Sequence, residues 1–297
     1  MEKITLTFLG TGNAVPTPKR NHTAMLLNYK NENILIDCGE GTQRQFKIAH
    51  LSPSKLTKLL ITHQHGDHIL GIPGLFQTLH MNDYQKVLNI YGPRGTERFI
   101  SSLQQLFRLK IKTQVKEVFS KFFENEDFFL EAASMKHDTP CLAYSFVIKE
   151  KHRLDKKKLE KLKLPNSPLL KKLQQGKDVT IDGKKIKSSQ VSYLEKGRKI
   201  TFILDTAPNP AAIEMAKDSD ILVIEASFSN EEAQLAKERL HLTAHDAAAI
   251  AKKAKVNKLI LTHISQRYEH NPKIILEEAK MVFKNTTLAK DFDTIEF

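Results

Sequence analysis

The run His63-Gln64-His65-Gly66-Asp67-His68 places four potential metal ligands within six residues. It follows the apolar, strand-like stretch Lys58-Leu59-Leu60-Ile61-Thr62. A loop at a strand end can aim several side chains into one cleft. Neutral imidazoles and a carboxylate are the donors that zinc selects. Matching candidates occur at the ends of other strand-like runs. His263 closes Lys258-Leu259-Ile260-Leu261-Thr262, repeating the Thr-His ending of the first motif. Asp205 closes Ile200-Thr201-Phe202-Ile203-Leu204, and His137 follows Ala132-Ala133-Ser134-Met135-Lys136. The seven candidates divide between two metals, a pair of which can clamp the attacking and leaving oxygens of a phosphoryl displacement. Asp205 is the natural bridging ligand, because a carboxylate has two oxygens to share.

Strand patterns run over Ile4 to Leu9, Ala24 to Tyr29, Asn33 to Asp37, Lys58 to Thr62 and Val87 to Tyr91. A second set covers Phe128 to Ala132, Leu142 to Ile148, Lys199 to Leu204, Ile221 to Glu225 and Leu259 to Thr262. Thr96 to Phe107 reads as a helix with Phe99, Leu103 and Leu106 on one face. Ala244 to Ala254 reads as another, with Thr243 as its N-cap. An α/β sandwich is expected, in 297 residues that suffice for a substantial core.

Lys and Arg exceed Asp and Glu by 46 to 34, a net charge of +12 that favours a polyanionic partner. Most of the excess sits in one segment: Lys149 to Lys187 holds 14 Lys or Arg against 5 Asp or Glu. It divides into a Lys-rich helical pattern from Leu154 to Leu164, the stretch Pro165-Asn166-Ser167-Pro168, and Leu169 to Leu173. Such a segment is either a solvated insertion or an arm that holds RNA phosphates. Cys38 and Cys141 form neither a disulfide framework nor a paired zinc motif. Met1-Glu2-Lys3-Ile4-Thr5 enters a strand pattern at once, without a signal peptide, and no apolar run approaches a membrane span. The expected compartment is the cytoplasm.

The His-x-His-x-Asp-His run with a later His, Asp and His resembles the metallo-β-lactamase superfamily. Phe8-Leu9-Gly10-Thr11-Gly12, Pro16 to Thr23 with Arg20-Asn21, and Ile36-Asp37-Cys38-Gly39-Glu40-Gly41-Thr42-Gln43 narrow the match. So do Ile69-Leu70-Gly71-Ile72-Pro73-Gly74-Leu75, Glu225-Ala226-Ser227-Phe228, His241-Leu242-Thr243-Ala244 and Thr262-His263-Ile264-Ser265-Gln266-Arg267-Tyr268. Together they resemble the short-form tRNase Z (ribonuclease Z) family over nearly the whole chain.

That resemblance implies a metallo-β-lactamase αββα sandwich, two mixed β-sheets flanked by helices, in one domain over 1–297. Residues 149–190 would form an inserted, protruding flexible arm, the tRNA-binding exosite. It implies two Zn2+ per subunit: His63, His65 and His137 on one, Asp67, His68 and His263 on the other, Asp205 bridging. Asp67 would orient the attacking water and accept its proton. His241 would be the general acid, with Glu225 accepting its other N–H and raising its pKa. Arg20, Asn21 and Arg267 are candidates for phosphate or 3′-end contacts. Asp37, Glu40 and Thr42 are candidates for hydrogen bonds beneath the metals. The implied activity is endonucleolytic cleavage of precursor tRNA after the discriminator nucleotide. It would leave a 3′-hydroxyl on the tRNA and a 5′-phosphate on the trailer. A homodimer is implied as well. Two positions depart from the family pattern: Ser167-Pro168 stands where relatives often carry Gly-Pro, and Ile224 where they often carry His. The alternatives are another hydrolase on the same scaffold (a small-molecule phosphodiesterase, lactonase or thioesterase) and a non-catalytic RNA-binding protein.

Overall fold

The computed structural model describes residues 2–162, 164, 167–181 and 183–297. Two compact units emerge. The larger comprises Glu2–Phe123, Leu130–Phe146 and Lys199–Phe297, the smaller Glu124–Phe129 and Val147–Arg198.

In chain order the strands β1 (Ile4–Gly10), β2 (Ala24–Tyr29), β3 (Glu32–Ile36), β4 (Lys58–Leu60), β5 (Leu88–Gly92) and β6 (Thr113–Glu117) build one sheet. Strands β7 (Ser120–Glu124), β8 (Phe128–Met135) and β9 (Cys141–Ile148) begin a second. After the arm strands β10 (Lys151–Leu154), β11 (Val179–Ile181), β12 (Lys184–Ile186) and β13 (Ser192–Glu195), the second sheet resumes with β14 (Arg198–Ile203), β15 (Ile221–Glu225), β16 (Lys258–Thr262) and β17 (Thr286–Leu288). Strand β18 (Thr294–Glu296) returns to the edge of the first sheet beside β1. Both sheets have seven strands, ordered β18-β1-β2-β3-β4-β5-β6 and β17-β16-β15-β14-β9-β8-β7. The first is antiparallel from β18 to β3 and parallel from β3 to β6.

Successive strand residues point to opposite faces, and here both faces are apolar. Leu26, Leu35, Leu59 and Ile90 of the first sheet pack with Phe46, Phe76 and Ile100 of the helices α1 (Thr42–Ile48), α3 (Ile72–Met81) and α4 (Thr96–Leu106). The short helix α2 (Gly66–Ile69) lies between α1 and α3 in sequence. Leu222, Ile224, Leu259 and Leu261 of the second sheet pack with Ala212, Ala247, Ala251 and Ile275, which lie on the later helices α8 (Pro210–Ala216), α10 (Ala244–Lys253) and α11 (Lys273–Val282); α9 (Ala233–Glu238) falls between α8 and α10 in sequence. The inner faces meet through Tyr29–Phe146 and Tyr91–Phe122 ring pairs, and the Tyr144 hydroxyl donates to the Ile61 carbonyl at 2.7 Å. The larger unit is therefore the expected sandwich of two mixed sheets flanked by helices.

The smaller unit has a core of its own: Leu173, Val179, Ile186 and Val191, backed by Leu154, Leu159, Leu164, Leu169 and Leu170. Leu154 does not begin a helix, as the Lys-rich pattern suggested. It ends β10, pairing with Ser192 of β13, and the helix α5 is confined to Lys156–Lys161. Helix α6 spans Pro168–Gln174 and α7 Ser188–Val191. Met1, Lys163, Asp182 and the first two residues of the stretch Pro165-Asn166-Ser167-Pro168 lie outside the described residues. Among those described, no helix is long and apolar enough to cross a membrane.

Candidate metal centre

Parallel register assembles the site. Ile203 lies beside Ile224, and Glu225 beside Thr262. Asp205, Glu225 and His263 therefore leave three adjacent strand ends together. In the first sheet Ile36 lies beside Leu60, which brings Asp37 to Thr62 and His63. The short helix α2, which carries Asp67 and His68, is tied down by Cys38 N–H donating to His68 O (2.8 Å) and Gly71 N–H to Cys38 O (2.9 Å). Gly39 permits this approach, since a Cβ there would sit 2.3 Å from the Asp67 carbonyl oxygen. Asp37 and His263 hold φ of 55° and 58°, left-handed values that cost about 1–3 kcal/mol each and aim their side chains at the site.

All seven expected ligands converge. Asp205 Oδ2 lies 3.5 Å from His63 Nε2 and 3.8 Å from His137 Nε2, while His137 Nε2 is 3.3 Å from His65 Nδ1. Asp205 Oδ1 lies 3.4 Å from His68 Nε2 and 3.2 Å from His263 Nε2. Asp67 Oδ2 is 3.3 Å from each of these last two nitrogens. The seven donors fall into two groups, His63, His65, His137 with Asp205, and Asp67, His68, His263, and His241 also comes within ligating reach of Asp205 and His263. The two oxygens of Asp205 face one group each.

A layer of hydrogen bonds fixes the tautomers. Thr62 donates its hydroxyl proton to Asp37 Oδ2 at 2.7 Å, which leaves its oxygen to accept from His63 Nδ1–H at 3.0 Å. Asp37 Oδ2 also accepts from His68 Nδ1–H at 2.7 Å. Ser227 Oγ donates to Glu225 Oε2 at 2.7 Å and accepts from His263 Nδ1–H at 2.8 Å. Each of these rings thus points its Nδ1 at a fixed hydrogen-bond partner and turns its Nε2 toward Asp205 or Asp67. His63 Nε2, His68 Nε2 and Asp205 Oδ1 are buried without a hydrogen-bond partner. Buried polar atoms are normally paired. Three orphans facing one another, all nitrogen or carboxylate oxygen, fit a divalent cation of the zinc type. Thr62 and Ser227 were not singled out from the sequence, because a single hydroxyl carries no motif. Asp138 was also missed; its Oδ1 lies 3.3 Å from both His65 Nε2 and His137 Nε2.

Charge and burial compete here. Burial and the charge of His68 hold His63 well below the usual histidine range. Burial opposes protonation of His68 too, yet Asp205, Asp37 and Asp67 prevail and raise it. His241 Nδ1–H donates to both oxygens of Glu225 at 3.0 Å, and its Nε2 lies 3.8 Å from Asp205 Oδ2. Burial works against its protonation, but Glu225 and Asp205 outweigh it and raise the imidazole to about 9.

The centre opens into a cleft of about 420 Å³ lined by His65, His137, Phe228, Arg239, His241 and Arg267, among others. Arg267 lies over the Phe228 ring (5.8 Å) and pairs with Glu232 (2.7 Å). Arg20 and Asn21 are placed otherwise than expected. Arg20 is buried, its Nη1 donating to Thr11 Oγ1 (2.6 Å) and the Ala289 carbonyl (2.8 Å). Asn21 spends its side-chain amide on the Glu40 carbonyl (2.7 Å). Arg20 braces the Thr11-to-His22 loop from within, and Asn21 ties it to the Glu40 main chain. Thr42 caps the same turn by donating to the Gly39 carbonyl at 2.7 Å. Of Glu40, it is the main-chain carbonyl that enters this network.

The chain matches the family model described as Anti-Pycsar protein Apyc1 over residues 4–287. A protein of Methanosarcina acetivorans named Ribonuclease Z is 38% identical over 296 residues, covering 98% of this chain and 97% of that one. Human tRNase Z, short form, superposes with a TM-score of 0.71 at 26% identity, covering 98% of both chains. The metallo-beta-lactamase fold protein YhfI from Bacillus subtilis superposes with a TM-score of 0.73 at 18% identity over 100% of both.

Proposed function

This chain belongs to the ribonuclease Z family and to the family described as Anti-Pycsar protein Apyc1, and from that premise we propose that it is a tRNA-processing endoribonuclease of the metallo-β-lactamase fold. It cuts the 3′ trailer from precursor tRNA after the discriminator nucleotide, leaving a 3′-hydroxyl on the tRNA and a 5′-phosphate on the trailer. The observation that carries the reading is the Glu225–His241 pair set beside the seven-ligand cluster.

His63, His65 and His137 would hold one zinc ion, Asp67, His68 and His263 the second, and Asp205 would serve both. Bound there, the ions would polarise the scissile phosphate and ease deprotonation of the attacking water. The chain's own groups handle orientation and protons. Burial favours the neutral form of Asp67, but the His68 and His263 rings beside its Oδ2 outweigh it and hold the carboxyl below its usual range. Asp67 is thus placed to orient the water and accept its proton. The water oxygen bonds to phosphorus as the P–O3′ bond breaks. His241, fixed by Glu225 at Nδ1, gives its Nε2 proton to the departing O3′. Glu225 itself is held by the Thr206 N–H at 2.8 Å and by Ser227, which keeps the imidazole in one orientation.

The basic arm supplies salt-dependent affinity for tRNA phosphates, and the working form is a cytoplasmic homodimer carrying two zinc ions per subunit. The test is a 3′-extended precursor tRNA incubated with zinc-loaded protein, the end groups of the products being resolved. One cut after the discriminator, abolished by chelator, is expected. Cleavage that persists in chelator would overturn the metal assignment. No cleavage alongside hydrolysis of a small phosphodiester would overturn the RNA substrate and favour a small-molecule phosphodiesterase.

A further inference from the structure

We propose that the RNA strand straddles His241, with the nucleotide on the 5′ side of the cut seated in a second pocket whose cations are Lys136 and Lys237. This rests on the endoribonuclease reading above and adds where the strand runs. His241 stands in the wall of two cavities. One is the metal cleft. The other, of about 450 Å³, is bounded by Lys136, Ala207, Pro208, Ala236, Lys237 and His241, among others. That volume lies within the roughly 300–1,000 Å³ usual for small-ligand sites.

The departing O3′ belongs to the nucleotide on the 5′ side of the cut. If His241 protonates that oxygen, the ribose carrying it must lie against the imidazole. The trailer nucleotide stays with the phosphorus at the metal ligands, on the cleft side. The second pocket is thus the place next to His241 left for the upstream nucleotide, and its chemistry suits one. Ala207, Pro208, Ala236 and Leu240 offer an apolar surface to a base or ribose. Lys136 and Lys237 are exposed and, among the described residues, neither has a carboxylate partner. The carboxylate in this lining, Asp246, is occupied: its Oδ2 accepts from Thr243 N–H (3.2 Å) and Oγ1–H (2.8 Å). On the other side of His241, exposed Arg239 faces the metal cleft. The short stretch Lys237-to-His241 therefore sets a cation on each side of the proton donor, as a phosphodiester backbone passing it would require.

The test compares Lys136→Ala/Lys237→Ala, Ala233→Trp, which fills the second pocket from its rim, and Lys252→Ala/Lys253→Ala at the far end of α10 as a charge control. Zinc-loaded proteins are assayed on precursor tRNA across a salt series and on bis(p-nitrophenyl) phosphate. The first variant should flatten the salt slope by about two, one for each phosphate no longer neutralised. Its kcat/KM on precursor tRNA should fall about tenfold more than on the small diester. Ala233→Trp should raise KM for precursor tRNA without flattening the slope, and the control should keep the wild-type slope. An unchanged slope in the first variant, an equal loss in the control, or an unchanged KM in Ala233→Trp would overturn the proposal. A wild-type protein that hydrolyses the small diester and leaves precursor tRNA whole would instead remove the endoribonuclease reading, before any variant is compared.

Discussion

At His241, burial and charge pull in opposite directions, and charge wins because Glu225 meets the ring with both oxygens. In the proposed mechanism the acid form is the useful one, so kcat is expected to be full below the raised pKa and to fall as pH rises through about 9. Glu225→Gln removes the largest raising influence. The alkaline limb of a kcat profile should then move to lower pH; an unmoved limb would assign it to another group. His241→Ala should lose about 10²–10⁴-fold in kcat, the usual worth of a general acid, with KM little changed. Thr62 acts one bond further out. Thr62→Val keeps the shape but strands His63 Nδ1–H and removes one of the two donors to Asp37 Oδ2, and zinc affinity should fall about 10–100-fold, read by metal content after dialysis against graded chelator. The convergence of the seven candidate ligand side chains was legible in the sequence because imidazoles and carboxylates at strand ends are conspicuous. Thr62 and Ser227 were not, since hydroxyls at strand ends are commonplace. Arg20 misled for a related reason: a guanidinium in a loop suggests a phosphate, yet here its donors satisfy the Ala289 carbonyl and Thr11 inside the protein.

Elements with strong patterns were readable, and those built from contacts were not. The helix expected over Ala244 to Ala254 occurs as α10, Ala244–Lys253, capped as anticipated: Thr243 and Asp246 exchange hydrogen bonds in a capping box. Thr243→Ala should cost about 1 kcal/mol, seen as a lower urea midpoint. It should also lower kcat, because the cap lies two residues from His241. Strands β6 and β7 escaped notice; their mostly exposed residues show no clean alternation of apolar and polar. Helix α3 was missed because Pro73 and Gly74 look like a turn, whereas Pro at the second helical position is well tolerated. In the arm, Lys density suggested helix from Leu154 onward, but pairing with Ser192 recruits Leu154 into a strand.

For the molecule as a whole, the smaller unit's apolar cluster makes the arm a folded module, with leucines inside and lysines outside. Its two ends meet: a Cβ on Gly197 would lie 2.5 Å from the Ile148 carbonyl oxygen. Replacing residues 150–196 with a short Gly-Ser link should therefore leave β9 and β14 in place. Hydrolysis of a small diester should survive while binding of precursor tRNA weakens and loses much of its salt dependence; equal loss of both would mark the arm as scaffold. The composition announced a polyanion partner, and the position of the charge in one segment was legible as well. What no sequence pattern disclosed is that the segment folds on a core of its own, since leucines scattered among lysines at irregular spacing do not reveal which of them meet. The metal centre has a further consequence, one of timing. Its donors are drawn from His63 through His263, and both of the paired sets need a residue from the second half of that span or its far end. A chain still being made, or broken before β16, lacks His263 and cannot complete the second set. On the proposed ligand assignment, cleavage would therefore wait until the chain has been made through His263.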